Sequence, residues 1–161
     1  MKLALCAGIL LATACAATNP EPATAQEKAD KVLAVALNRA LVEVRDLPDI
    51  ALIDGSPEII VRSSIMNSPF SIRPAALPKI PGKKVLLLAK HDIDARAKRR
   101  DVHFVTVDNL KYVSDEAELT IGTGMATTRG GSVFCCCVET VRYALVQGVW
   151  TYQGSKGKLC P

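Results

Sequence analysis

Between Gln26 and Asp46 the apolar residues Ala29, Leu33, Ala36, Leu37, Ala40, Leu41 and Val44 recur every three or four positions, with Lys28, Lys31, Asn38, Arg39, Glu43 and Arg45 between them. That spacing puts one greasy stripe on a helix and predicts an amphipathic element able to cover a sheet. Pro48 disfavours a helical residue ahead of it and predicts the stop. Two short candidate strands follow, Ile50 to Ile53 and Glu58 to Arg62. The link between them, Asp54-Gly55-Ser56-Pro57, has the composition of a turn and predicts a hairpin. From Ser63 to Gly82, prolines at 69, 74, 78 and 81 interrupt every period, which predicts an ordered surface loop available for contacts. The run Val85-Leu86-Leu87-Leu88-Ala89 reads as a strand buried on both faces or as the lead-in to a helix. Asp92 is placed to cap a short helix to about Arg100, with Ile93 and Ala97 inward.

After Asp101 the period changes to two. Val102 to Val107, Lys111 to Val113, Ala117 to Thr127, Val138 to Val146 and Val149 to Tyr152 read as strands, punctuated at Ser114-Asp115-Glu116, Arg129-Gly130-Gly131-Ser132 and Gln147-Gly148. Ala117, Leu119 and Ile121 alternate with Glu118 and Thr120, so one face is core and the other wet. The expected fold is α+β: a long N-terminal helix packed on an antiparallel β-sheet that ends in a C-terminal meander, one domain over residues 26–161.

Residues 1–25 read as export signal and tether. Lys2 precedes the apolar stretch through Leu3, Leu5, Ile9, Leu10 and Leu11, which is shorter than the ~20 residues that span a bilayer. Ala12-Thr13-Ala14-Cys15 resembles the box at which bacterial lipoproteins are cut and lipidated on cysteine, with Ala12 where that family usually carries Leu. The resemblance implies lipidation of Cys15 and an extracytoplasmic place in a bacterial envelope, with membrane contact through the anchor only. Ala23-Thr24-Ala25 before Gln26 fits ordinary signal cleavage equally well, which would leave a periplasmic or secreted protein. The closing run Arg142-Tyr143-Ala144-Leu145-Val146-Gln147-Gly148-Val149-Trp150, after one long helix, resembles the final hairpin of exported NTF2-like and cystatin-like α+β domains. Those folds host enzymes and binding modules alike, so the likeness carries no function.

Composition narrows the chemistry. The 161 residues are 49% hydrophobic and 22% charged, enough apolar material for a core and too much for disorder. A net charge of +4 and 4% aromatic residues argue against nucleic acid as a partner. Of six cysteines, Cys6 and Cys15 lie in the leader, leaving Cys135, Cys136, Cys137 and Cys160. Adjacent cysteines meet disulfide geometry poorly, so the expected outcome is one bridge from Cys160 to a member of the triplet, the other two remaining reduced or strained. The triplet read as thiolates would instead hold Cu(I) or Zn(II), against the usual wider ligand spacing. His91 sits beside Asp92 and Asp94, and His103 on a strand. Neither belongs to a hydrolase, phosphate-loop, zinc-protease or dinucleotide motif. Arg96, Lys98, Arg99 and Arg100, after Lys90, form a basic run that suits a helix C-terminus or an anionic partner, and Trp150 is a candidate contact residue.

The resulting expectation is a non-enzymatic, extracytoplasmic binding module for an unidentified protein or small ligand, acting through the concave sheet face or the proline-rich loop. It assigns no catalytic residue, metal or cofactor. Two alternatives stay open: a small hydrolase-like enzyme with a pocket near His91 or His103, and a thiol-based metal handler at Cys135 to Cys137.

Overall fold

The computed structural model describes residues 24–130, 132–133 and 136–160, the side chains of 132 and 133 excepted. The leader, Cys15 and Cys135 lie outside them. Helix α1 spans Ala25–Asn38 and begins in a capping box: the Thr24 hydroxyl accepts from the Glu27 N–H at 3.2 Å, and the Thr24 N–H donates to Glu27 Oε2 at 2.7 Å. One wide π turn, Arg39–Glu43, continues it, and Arg45 at φ 57° ends it before Pro48. Ala29, Leu33, Ala36, Leu37, Ala40 and Leu41 are buried, as the sequence period predicts; Val32 joins them, whereas Val44, counted in that stripe, is exposed beyond the π turn.

Residues predicted as the first strand of a hairpin form a helical turn instead, α2, Ala51–Asp54. Pro48 and Asp49, the latter at φ 57°, turn the chain. In the next stretch only Ile53 is buried while Leu52 is exposed, a helical rather than an alternating pattern. The strand after it, β1 (Glu58–Arg62), has no edge left for such a partner. It lies in parallel between β2 (Lys84–Leu88) and β3 (Val102–Val113). Helix α3, Lys90–Ala97, joins β2 to β3, capped by Ala89 rather than Asp92 and ending short of Arg100.

Strands β4 (Glu116–Ala126), β5 (Ser132–Val133), β6 (Val138–Val146) and β7 (Val149–Leu159) complete a seven-stranded sheet of order β2-β1-β3-β4-β6-β7, with β5 on β4. From β3 onward the pairing is antiparallel, as expected; the β1 pairings are parallel, so the sheet is mixed. The parallel half arises because both connections cross the sheet. The chain from β1 to β2 runs over the α1 face, burying Ile65, Ile72 and Ala76, and the chain from β2 to β3 runs over the opposite face as α3. Opposite directions over opposite faces give both crossovers one hand, as strand twist requires.

The larger core therefore lies between α1 and the sheet, and a smaller one lies under α3, built from Ile60, Ile93, Ala97, Val102, Phe104 and Ala126. The proline-rich stretch 63–82 is the ordered and largely exposed loop expected, and Ile65, Ile72 and Ala76 anchor it in the first core. Gln26 reaches the Ser71 carbonyl at 3.0 Å, and Arg73 Nε donates to Asp30 at 2.7 Å. Beyond α3 the second sheet face stays wet, with Thr120 and Thr140 hydroxyls 3.1 Å apart and Lys156 on Glu118.

Strand β3 does not break at Asp108 but bulges there, between Val107 and Asn109. The bulge brings Asp108 Oδ1 to 3.4 Å from Arg62 Nη2, and the Thr106 hydroxyl donates to the same oxygen at 2.7 Å. Both charged side chains are buried, and loss of water disfavours the cationic form of Arg62, lowering its pKa.

Candidate functional site

The parallel strands meet unequally. β1 matches β2 through all five of its residues, from Glu58 with Lys84 to Arg62 with Leu88, but matches β3 only at Val61 with Val105. Ahead of that single pair the starts of both strands lie between α2 on one side and the end of α3 on the other. Together they line an open cleft of about 800 Å3. Its floor is Ile60 and Val102, its apolar wall Leu52 and Ile53 of α2, and its polar wall Arg96, Arg99 and Arg100 with Asp101 and His103.

Arg96 Nη1 donates to Glu58 Oε2 at 3.0 Å, tying the α3 end to the first residue of β1. Asp101 Oδ1 accepts the Thr128 N–H at 2.8 Å, which holds the β4–β5 turn. Both carboxylates of the lining are thus engaged, whereas the guanidiniums of Arg99 and Arg100 have no hydrogen-bond or ion-pair partner among the described residues. Carbonyls at the α3 C-terminus carry about half a negative charge and offset less than one of these cations.

The basic run expected from the sequence is thereby divided. Arg96, Arg99 and Arg100 line the cleft and Lys98 does not, although all four are exposed. Leu52, Ile53, Glu58 and Ile60 complete the site and went unrecognised in the sequence, where 50–53 reads as a strand; the Arg96–Glu58 pair, 38 residues apart, leaves no local signal.

His103 is half-buried at the cleft, with no hydrogen bond to Asp101 or Glu58 among the described residues. His91 lies at the opposite end of α3, its side chain 83% exposed beside Asp92, and lines no cavity. Trp150, expected as a contact residue, is instead buried in the larger core with its ring centroid 5.9 Å from that of Tyr112.

Cys137 is bridged to Cys160, with Cα atoms 4.1 Å apart, which fastens the end of β7 to the start of β6. This is the pairing class expected from the sequence. Cys136 is disulfide-bonded as well, which excludes for it the reduced state that was one of the two expected. The Cys137 N–H donates to Asp49 Oδ2 at 2.6 Å, so the bridge is also tied to the turn before α2. No group of three or more His, Cys, Asp or Glu side chains arranged for a metal occurs among the described residues, and none of their helices is long and apolar enough to cross a membrane. No family model, no curated protein and no solved structure matches the chain.

Proposed function

We propose that this protein is an extracytoplasmic binding module, tethered to a bacterial envelope through Cys15, whose recognition site is the cleft between α2, β1 and the end of α3. The observation that carries this reading is a cleft of ligand size, about 800 Å3, that presents two unpartnered guanidiniums. Its one histidine lacks a positioned carboxylate, so it has binding groups without the paired acid and base of a hydrolase. The disulfide of Cys137 with Cys160 occupies two of the four sulfurs that a thiol metal handler would use.

Cleavage at Cys15 is favoured by the start of α1. Processing after Ala25 would remove Thr24, whose side chain caps the helix and whose N–H completes the capping box. Loss of such a cap costs about 1 kcal/mol, whereas processing at Cys15 keeps it.

Mass spectrometry of the mature protein from its own envelope tests both halves. The expected result is a chain starting at lipid-modified Cys15, carrying an unaltered small molecule that is lost when Arg99 and Arg100 are both changed to Gln. A mature chain starting at Gln26 overturns the tether. Steady turnover of a bound ester or amide, abolished by His103→Ala, overturns the binding module.

A further inference from the structure

The cleft is amphipathic in a way that specifies its occupant. Leu52 presents carbon on one side, backed by the buried Ile53, Ile60 and Val102, and the exposed guanidiniums of Arg99 and Arg100 line the cleft without a partner among the described residues. Arg96 is held in place by Glu58 at 3.0 Å, which leaves its remaining N–H groups free to share an oxyanion. Guanidinium forks match carboxylate and phosphate oxygens two at a time, and the match is strongest where water is partly excluded. Water solvates these exposed cations, so a neutral ligand would gain nothing from them, and a small inorganic anion would gain nothing from the apolar side at Leu52.

We propose that the cleft binds an amphiphilic organic anion, a carboxylate or phosphate head on an apolar body, with Arg99 and Arg100 taking the head and Leu52 and Ile53 taking the body. This deepens the binding-module reading and rests on it. The head lies on the α3 side, with the guanidiniums, and the body runs toward α2 across Ile60 and Val102. Charge and amphipathic shape set the specificity, and Ser56 beside the α2 wall and His103 are the neutral polar side chains of the lining that could read a second group on the ligand body.

Isothermal titration with defined probes tests this: laurate, dodecyl phosphate, dodecanol, inorganic phosphate and vesicles of phosphatidylglycerol. Laurate and dodecyl phosphate are expected to bind, with dodecanol and inorganic phosphate each at least roughly tenfold weaker. Changing Arg99 and Arg100 to Gln should weaken laurate roughly tenfold or more while Lys98→Gln, outside the cleft, changes nothing. Leu52→Asp tests the apolar wall on an exposed side chain whose loss the fold tolerates, and should abolish laurate binding.

Equal affinity for dodecanol and laurate overturns the anion assignment yet leaves a binding module. Vesicle capture without binding of either monomeric anion overturns it too, by moving recognition to a membrane surface. Absence of binding by every probe overturns it outright, and only an accompanying catalytic turnover would also remove the broader reading.

Discussion

Gly122 and Gly124 on β4 show how single positions set this sheet. A Cβ on Gly124 would lie 2.8 Å from the Phe104 ring, and one on Gly122 would lie 2.5 Å from the Cys137 carbonyl oxygen. The ring can shift and the backbone cannot, so Gly122→Ala should destabilise more than Gly124→Ala. Overpacking of this kind costs about 1–3 kcal/mol, and urea unfolding of the two variants would rank them. Both residues belong to a regularly paired stretch of β4, left bare because neighbours lean over them. The buried ion pair of Arg62 and Asp108 makes a second residue-scale prediction. Removing one partner strands the other charge without water, so Asp108→Ala should cost about 3 kcal/mol in urea unfolding, and the apolar double change Arg62→Met with Asp108→Leu should cost less than that single change. The pair was invisible in the sequence because a β-bulge, not a motif, brings residues 46 apart together.

At the scale of elements, two latches hold the ends of the chain. The bridge from Cys137 to Cys160 closes 23 residues and restrains mainly the unfolded chain. Replacing both cysteines by Ser should lower stability by about 3 kcal/mol in the chain-entropy treatment. β7 should keep its place on β6, because its pairing runs to Leu159 without the sulfurs. Sequence pattern stops β7 at Tyr152, since Gly154 and Gly157 at positive φ and two register shifts erase the alternation that defines a strand. The second latch joins α1 to the proline-rich crossover. Hydrogen bonds from Arg73 hold the Asp30 carboxyl below the usual carboxylate range, with burial acting in the opposite sense. A depressed folded-state pKa contributes stability that is fully present above the unfolded value of about 3.9 and is lost as pH falls through the lower folded one. The stability gap between the wild type and Arg73→Gln, measured in urea, should be widest near neutral pH and close as the pH drops below about 4.

For the whole molecule, the two cores differ in size, and that difference predicts an order of opening. The cluster under α1 takes in residues from β1, β3, β4, β6 and β7, whereas α3 contributes only Ile93 and Ala97 to the smaller cluster on the other face. Amide exchange should therefore release Lys90–Ala97 well before Ala25–Asn38, and equal protection of the two helices would contradict this. Opening α3 also moves Arg96 and the residues after it, so an anion seated in the cleft should slow exchange there first. The α1 stripe, the wet and dry faces of β4, the limits of β6 and the bridge class of Cys160 were all legible in the sequence. Each is written in a local period or in the number of available partners. The mixed topology, the helical turn of α2 and the cleft were not. Which edge of β1 receives which neighbour depends on crossovers over opposite faces, and no period along the chain records a face it does not touch. Sequence alone determined where apolar surface lies and where positive charge gathers. Tertiary structure decided that two of those charges, Arg99 and Arg100, stand beside the apolar side chain of Leu52 without partners among the described residues, because pairing is a property of residues brought together from distant parts of the chain.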